Sequence, residues 1–412
     1  MAVSNLTTSA LVDQRLPEVA VLLAGGIPEP LSMAASELGG RLTKATAVQV
    51  TWWPGQSITV RYRVMIEGGS LPGEHQLVAV AGDVPAGTLI VEGSGGARIG
   101  LWRVPFDPQL PGLASALDPG TAGALLDDLG VAAGKVRTRL RAYRPRKRAV
   151  VEVSATGGTI FLKLVPTDEV ARLHQVHRRL ASHLPIPQSL GYSPELGLMA
   201  LAALAGTTLR DRLVGRGPLP SPGALETLLE ALPEPERGWK APSSLSRVAR
   251  QGELLSALLP QDRGFIENLV AEIGPETEEP NGAIHGDFYE AQVMVTRDRV
   301  SGLLDFDTFG WGRRADDSAT LLGHLAVLTE SHDSLRLRRF AGETLARADA
   351  RFDPVSIRRR AAAVILSLAG GPFRVQRPNW PQATLARLGL AARWMESSRR
   401  VQQGKALTLD QG

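Results

Sequence analysis

The residues that could do chemistry in this chain are concentrated between positions 285 and 307. In order, the candidates are His285, Asp287, Gln292, Asp305 and Asp307. Phosphoryl transfer uses such a set, because one carboxylate orients the attacking hydroxyl while other oxygen ligands hold Mg²⁺ against nucleotide phosphates. The alternative is that the acids are ordinary turn or capping residues, which often follow strands. The combined spacing favours a catalytic origin.

A short hairpin is predicted between the two acidic ends of this segment. Residues 293–295 and 303–304 are apolar β-type runs, and the turn between them spans residues 297–302. The motif H-G-D-x-x-x-x-Q therefore precedes the hairpin, and D-F-D follows it. Protein kinases carry H-R-D-x-x-x-x-N and D-F-G in this arrangement, with the first acid on the substrate hydroxyl and the later groups on the metal.

With these motifs, residues 159–328 resemble the aminoglycoside phosphotransferase and choline kinase group. That group also has a G-x-P-x-x-D-L-A element, to which residues 312–319 correspond, with Asp317 on the family aspartate and no proline. The resemblance implies an α+β, two-lobed protein-kinase-like fold with an extra N-terminal β-rich domain. The predicted divisions are a cap domain at 1–133, a small lobe and hinge at 134–204, and a helical large lobe at 205–412 with its catalytic loop at 285–307.

The resemblance also implies roles for the residues of the catalytic loop. Asp287 would orient and deprotonate a hydroxyl, and Asp305 and Gln292 would bind Mg²⁺. Asp307 would assist them or cap the next turn. His285 would hold the loop by hydrogen bonds or, alternatively, act as the base. Asp317 is expected to be an N-cap or a buried anchor for the loop.

Four further residues are expected around the nucleotide. Lys163 lies within an apolar strand and would reach the ATP phosphates, although an outward-facing lysine on an edge strand is the alternative. Glu169 would pair with it, or simply be a first-turn acid of its helix. The backbone of Met199 and Leu201, in the hinge segment 199–204, would bind adenine.

The turn at residues 144–148 stands where the family has a hairpin that covers the phosphates. It holds four basic residues and no glycine-rich loop, so Arg146 and Lys147 are predicted to contact phosphate; a solvated turn is the alternative.

Gln292 is the main departure from the family, which has asparagine at this position. Its amide oxygen lies one methylene further out, and Mg²⁺ requires near-octahedral geometry at about 2.0–2.1 Å.

The sequence is consistent with two functions. The first is an ATP- and Mg²⁺-dependent transfer of the γ-phosphate to a hydroxyl of a small molecule, either a sugar-like or other metabolite or an antibiotic. The second is a pseudokinase-like protein that binds nucleotide with little or no turnover.

Composition limits the classes of partner. The chain has 412 residues, no cysteine and a net charge of only +4, and its basic residues are dispersed without interleaved aromatic residues, which argues against nucleic-acid binding. The N-terminal segment lacks the pattern of a signal peptide, and no apolar run approaches the ~20 residues of a membrane span. A cytoplasmic protein that does not bind membranes is expected, and oligomeric state is not predicted.

Residues 316–412, where the family builds its acceptor pocket, carry fifteen basic and nine acidic residues. A polycationic aminoglycoside prefers an acidic pocket. The sequence therefore predicts a neutral sugar or an anionic acceptor.

Two β-rich blocks of the chain look alike. Residues 53–56 precede one alternating strand and residues 144–147 precede another, with the two prolines 91 positions apart. The cap is thus either a degenerate repeat of the small lobe or an unrelated unit with a similar turn. Between the later helices, residues 215–243 are rich in proline and glycine and are predicted to be a loop.

Overall fold

The computed structural model describes residues 11–93 and 96–409, so the first ten residues of the predicted cap domain lie outside the described part. Its N-terminal unit has two short helices followed by an antiparallel sheet. The helices are α1 (Glu18–Leu22) and α2 (Glu29–Glu37), and the strands are β1 (Gly40–Trp53), β2 (Ser57–Gly68), β3 (Gly73–Ala81), β4 (Leu89–Glu92) and β5 (Arg98–Arg103). The strand order is β1-β2-β3-β5-β4.

The second unit repeats this plan and adds a longer helix. The predicted cap boundary at residue 133 falls between the helices and the sheet of this unit, because the buried residues of those helices belong to the core of its sheet. Its elements are α3 (Leu113–Leu117), α4 (Pro119–Asp128), β6 (Arg137–Arg144), β7 (Arg148–Ala155), β8 (Gly158–Leu164), α5 (Thr167–Leu180), β9 (Ser189–Ser193) and β10 (Leu198–Ala202). The order β6-β7-β8-β10-β9 matches that of the first sheet strand for strand.

The turn between the first two strands is held in the same way in both sheets. Asp13 accepts the backbone N–H of Gly55 at 2.6 Å, and Asp107 accepts that of Arg146 at 2.8 Å. Gly55 and Arg146 both have positive φ, 69° and 67°. Both acids begin the pattern D-x-x-L-P ahead of a five-residue helix. This repeated pattern is a signal that the sequence prediction did not use.

The large lobe contains the catalytic hairpin and most of the helices. Its first elements are β11 (Thr207–Thr208), α6 (Leu209–Val214), α7 (Pro222–Glu230), α8 (Val248–Leu258) and α9 (Arg263–Ile273). The strands β12 (Gly282–Ile284), β13 (Val293–Thr296), β14 (Arg299–Leu303) and β15 (Gly310–Gly312) follow. The last helices are α10 (Arg314–Ser331), α11 (Leu335–Arg351), α12 (Pro354–Ala369), α13 (Gly371–Arg374) and α14 (Trp380–Leu409).

Two local predictions for this lobe were wrong. The segment 215–243 is not all loop, because α7 forms within it: Ser221 caps the helix, Pro222 occupies its first turn, and Leu225 is buried. The predicted turn at 297–302 is tighter than expected, because Arg297 adopts a left-handed φ of 57° and β14 already begins at Arg299.

The N-terminal sheet packs against both lobes. One of its faces, including Val60 and Ala79, shares a core with helices of the large lobe such as α12. Val78, Val80 and Trp102 belong to the core of the small-lobe sheet. The unit therefore packs between the two lobes and shares a core with each. No helix in the described part of the chain is long and apolar enough to span a membrane.

Candidate active site

The catalytic loop begins where β12 ends and is anchored by α10. The buried carboxylate of Asp317 accepts the backbone N–H groups of His285 at 2.8 Å and Gly286 at 2.9 Å. Asp317 lies in the first turn of α10, whose N-cap is Arg313, so it is the anchor and not the cap. Gly286 has a φ of 81°, and a Cβ there would lie 2.7 Å from the carbonyl oxygen of Thr308. The loop therefore requires glycine at this position.

His285 has structural contacts on both ring nitrogens. Its Nε2 donates to the carbonyl of Leu304 at 2.8 Å, and its Nδ1 accepts the backbone N–H of Asp287 at 3.3 Å. Burial lowers the pKa of His285 to about 4, so the ring is neutral at physiological pH. These contacts correspond to the loop-holding alternative, and they leave no free nitrogen to act as a base.

Asp287, in the loop that follows β12, is a carboxylate with a raised pKa. Desolvation, followed by the charge of Asp305, raises the pKa of Asp287 to about 6, against the opposing effect of Arg148, Arg247 and Arg144. A general base works best when its pKa lies near the operating pH. The environment thus suits Asp287 to accept a proton at neutral pH.

Asp305 and Asp307, at the end of the hairpin, form ion pairs with two basic side chains. Lys163 Nζ lies 2.9 Å from Asp305 Oδ1 and also contacts Asp307, and Arg148 Nη1 lies 2.8 Å from Asp305 and 3.1 Å from Asp307. Burial opposes ionisation, but Lys163 and Arg148 hold the pKa of Asp305 well below its usual range. Asp305 has a φ of 63°, a strained conformation for a non-glycine residue that is typical of functional sites.

The oxygens around Asp305 fit a magnesium ion. The side-chain Nε2 of Gln292 donates to Asp305 Oδ2 at 3.4 Å, so the glutamine reaches Asp305, and a metal would be held by the other amide atom, Oε1. The described residues contain no cluster of three or more His, Cys, Asp or Glu suited to a metal. Mg²⁺ in nucleotide sites is usually held by one or two carboxylates and by substrate phosphates. Asp305, Asp307 and Gln292 are a donor set of that kind.

The expected pair between Lys163 and Glu169 is not formed. Lys163 is directed to the two aspartates, and Glu169 has no ion pair with it. Desolvation and the charges of Asp168 and Asp307 raise the pKa of Glu169. One turn later, Arg172 donates to the backbone carbonyls of Asp307 at 3.1 Å and Phe309 at 2.9 Å. In this chain α5 is therefore tied to the D-F-D segment by an arginine and not by an acid.

The basic turn is oriented differently from the prediction. Arg146 is directed to the N-terminal unit, where it contacts Asp83 at 2.6 Å, and Lys147 is exposed. Arg148 is the residue of this turn that reaches the acids. Strand alternation could have identified it, because Val150 pairs directly with Lys163 and Arg148 shares the face of Val150.

The backbone groups of the predicted hinge contacts, Met199 and Leu201, are occupied by the sheet. Met199 and Leu201 are paired on both sides of β10, with β8 and β9, so their backbone groups are used in the sheet. Met199 is directly opposite Lys163, which places the two side chains on one face of the sheet. The hinge backbone outside the ladder begins at Ala203, beyond the predicted contacts at Met199 and Leu201.

A group of side chains beside Asp287 was missed by the sequence reasoning. Tyr289 stacks on His324 with ring centroids 4.1 Å apart. Arg210 lies over the Tyr289 ring at 5.9 Å and forms an ion pair with the fully buried Glu290 at 2.6 Å. Tyr289 and Glu290 were visible within the loop motif, but only the fold shows that α6 and α10 contact them.

The sequence model of a phosphotransferase enzyme family matches residues 145–358, which is more than half of the chain. No curated protein matches the chain significantly. Among solved structures, a thermostable mutant of an aminoglycoside phosphotransferase, in a ternary complex with ADP and hygromycin B, is 12% identical and covers 66% of this chain and 97% of its own, with a TM-score of 0.48.

Two further structures are similar to a comparable extent. A macrolide 2′-phosphotransferase type I is 18% identical and covers 65% of this chain and 96% of its own, with a TM-score of 0.45. An ethanolamine kinase from Plasmodium vivax is 12% identical and covers 69% and 90%, with a TM-score of 0.47.

Proposed function

This chain belongs to the phosphotransferase enzyme family, and we propose that it transfers the γ-phosphate of ATP to a hydroxyl group of a small molecule. The observation that carries the proposal is the position of Asp287 in its anchored loop, next to the Asp305–Lys163 ion pair, with a pKa of about 6. A carboxylate with this pKa can be ionised and still accept a proton at neutral pH.

In the proposed reaction the acceptor hydroxyl lies against Asp287. Its oxygen forms a bond to the γ-phosphorus, its proton passes to Asp287, and the bond from the γ-phosphorus to the bridging oxygen breaks to release ADP. Lys163 and Arg148 neutralise phosphate charge, which is the main protein contribution to phosphoryl transfer besides positioning.

Mg²⁺ would be held by Asp305, Gln292 and Asp307, and when bound it neutralises negative charge on the nucleotide phosphates. Lys163 and Arg148 already contact the same carboxylates. We therefore expect the side chains of Lys163 and Arg148 to redistribute their contacts from carboxylate to phosphate when nucleotide binds. The side chain of Met199 and the backbone after Ala202 would contact the adenine ring.

The second candidate is a nucleotide-binding protein without turnover. Arg172 in place of a pairing acid, and Gln292 in place of asparagine, are the observations that favour it. The anchored loop and the raised pKa of Asp287 favour the enzyme, because strongly perturbed pKa values are concentrated at functional sites.

The test is ADP release with neutral, anionic and cationic hydroxyl acceptors, measured with and without Mg²⁺, together with the mass of the product. We expect a product 80 Da heavier than one of the acceptors, the mass of one added phosphoryl group, formed only with Mg²⁺. Thermal stabilisation by Mg·ATP without product from any acceptor would support the non-catalytic alternative. If the protein gives no product and is not stabilised by Mg·ATP, the proposed nucleotide site is refuted.

A further inference from the structure

One nitrogen of Arg148 lies among the oxygens that the proposed metal ion would use. Its Nη1 is 2.8 Å from Oδ2 and 3.2 Å from Oδ1 of Asp305, and 3.1 Å from Oδ2 of Asp307. A single cationic nitrogen therefore contacts three oxygens on two carboxylates. Mg²⁺ in nucleotide sites is held by one or two carboxylates as well, so the arginine and the metal require the same ligands.

Lys163 contacts the remaining oxygen of the two acids. Its Nζ is 2.9 Å from Asp305 Oδ1 and also contacts Asp307 Oδ1. Each of the four carboxylate oxygens is thus bound to at least one cation, and two negative charges are balanced by two positive charges. All four side chains are at most one quarter exposed. Solvent and salt therefore screen these charges much less than they screen surface pairs.

A metal ion cannot bind Asp305 while Arg148 keeps its present contacts. Mg²⁺ lies about 2.0–2.1 Å from its ligands, and Nη1 already contacts both oxygens of the Asp305 carboxylate. A divalent ion and a guanidinium on the same oxygens also repel each other, and the partly buried setting strengthens that repulsion. Gln292 likewise presents its Nε2 donor to Asp305 Oδ2. Metal binding therefore requires Arg148 to leave the carboxylates.

The backbone that carries Arg148 is held in place by the turn before it. Asp107 accepts the backbone N–H of Arg146 at 2.8 Å and the hydroxyl of Tyr143 at 2.8 Å. Arg146 Nη2 is 2.6 Å from Asp83 in the N-terminal unit. These contacts anchor the turn on the N-terminal side of Arg148, so a change in its partners must come mainly from its long side chain.

The other edge of the Arg148 guanidinium is available to an anion. Its contacts with the acids are all made by Nη1, and its Nε and Nη2 form no hydrogen bond within the part of the chain that the structure describes. The planar fork of a guanidinium matches two oxygens of a phosphate at once. A nucleotide phosphate can therefore bind Nε and Nη2 and draw Nη1 away from the carboxylates.

We propose that Arg148 excludes Mg²⁺ from Asp305 until nucleotide phosphates bind its guanidinium, so that metal and nucleotide enter the site together. This inference rests on the proposed nucleotide site and adds a rule for how that site is loaded. Phosphate replaces the two acids as the partner of Arg148, and the acids then become metal ligands. Free Mg²⁺ does not bind at Asp305 at concentrations where Mg·ATP binds.

The first experiment uses Mn²⁺ as the probe, because paramagnetic resonance reports the free ion directly. The protein is titrated with Mn²⁺ in the absence of nucleotide. We expect weak binding by wild type and roughly 10- to 100-fold tighter binding by Arg148→Gln, since one positive charge is removed beside the divalent ion. The matched control is Arg146→Gln, which removes the same charge from a side chain directed to Asp83 and should bind Mn²⁺ like wild type.

Two further variants locate the ion and control for folding. Adding Asp305→Asn to Arg148→Gln should abolish the gain in Mn²⁺ affinity, because the released carboxylate is the ligand. Arg148→Lys keeps the positive charge but lacks the planar fork, so its Mn²⁺ affinity should lie between those of wild type and Arg148→Gln. If Arg148→Gln does not fold, the comparison of Arg148→Lys with wild type still tests the exclusion.

The second experiment measures how strongly metal and nucleotide depend on each other. The affinity for a non-hydrolysable ATP analogue is measured by calorimetry with Mg²⁺ and with EDTA, and the ratio of the two is the coupling factor. Chelation of Mg²⁺ by the analogue in solution contributes equally for every variant. The factor should fall at least tenfold in Arg148→Gln, because its metal ligands are available without nucleotide. It should not change in Arg146→Gln.

Three results would overturn the inference. The first is an equal Mn²⁺ affinity of wild type and Arg148→Gln without nucleotide. The second is a gain that persists when Asp305→Asn is added, which would place the ion elsewhere. The third is the same coupling factor in wild type and Arg148→Gln. None of these removes the phosphotransferase function, which is tested by ADP release. Arg148-dependent exclusion of Mn²⁺ with no ADP release from any acceptor would instead support the inference and refute the proposed transfer.

Discussion

The pH dependence of the reaction follows from the environment of Asp287. Its pKa is raised from 3.8 to about 6, first by desolvation and then by the charge of Asp305. A general base acts only when ionised, so activity is present above this pKa and is lost as the pH falls through it. With a pKa of about 6 the ionised fraction falls from about 0.9 at pH 7 to about 0.1 at pH 5, a tenfold loss of rate.

An ordinary aspartate would behave differently over the same interval. With a pKa of 3.8 the ionised fraction at pH 5 would still be above about 0.9, and the rate would hardly change. The assay is kcat/KM for ATP at fixed ionic strength, measured between pH 5 and 8 with saturating acceptor and Mg²⁺.

Arg247 supplies an internal check on this reasoning. Its positive charge lowers the pKa of Asp287, so Arg247→Gln should move the midpoint of the profile to higher pH. The exposed control Arg400→Gln should leave the midpoint in place. A profile that is flat between pH 5 and 7, or a midpoint that moves down in Arg247→Gln, would refute the assignment of Asp287 as the titrating base.

Three further predictions concern the metal, the phosphate side and stability. Gln292→Asn shortens a side chain that reaches its carboxylate partner only at 3.4 Å, so we expect the Mg²⁺ concentration for half-maximal rate to rise about tenfold; an unchanged or lower requirement would show that the amide is not a ligand. Arg148→Gln should weaken ATP binding in calorimetry while Arg146→Gln should not, because Arg148 contacts Asp305 whereas Arg146 contacts Asp83 of the N-terminal unit. Weaker ATP binding in Arg146→Gln alone would instead support the sequence-based prediction that Arg146 contacts phosphate. Arg360→Leu should lower the free energy of unfolding in urea by about 3–5 kcal/mol, because it leaves the buried Asp316 and the half-buried Glu276 without their cation; a loss no larger than that of Arg400→Leu would contradict it.

The catalytic motif could be located from the sequence because its parts are local. His285, Asp287 and the D-F-D pair lie at fixed distances along one strand, loop and hairpin, and the family resemblance follows from that spacing. The N-cap of α6 is local in the same way, since the Thr208 side chain accepts the N–H of Asp211 three residues later.

Contacts between distant segments could not be predicted in the same way. The sequence gives no measure of where the side chain of Arg146 points, because Asp83 and Asp107 lie 63 and 39 positions away. Arg172 was missed because a family glutamate was expected, and its partners are backbone carbonyls more than 130 residues later. Such orientations depend on tertiary packing.

The two similar β blocks are best explained by duplication, which we propose for the cap. The shared strand order and the two D-x-x-L-P turns, with Asp13 and Asp107 holding equivalent backbone N–H groups, support it. By register, Val80 takes the place of Lys163, because Thr59 pairs with Val80 as Val150 pairs with Lys163. The first copy thus lacks a lysine at this position and contributes packing against both lobes.

The central claim is that Asp287 performs the chemistry in a nucleotide site built by other residues. The most direct measurement is Asp287→Asn, with ATP affinity from calorimetry and turnover from ADP release with the preferred acceptor. The account predicts an ATP affinity close to that of wild type and a turnover lower by about 10²–10⁴, the usual scale for losing a general base. Turnover near that of wild type in Asp287→Asn would contradict it.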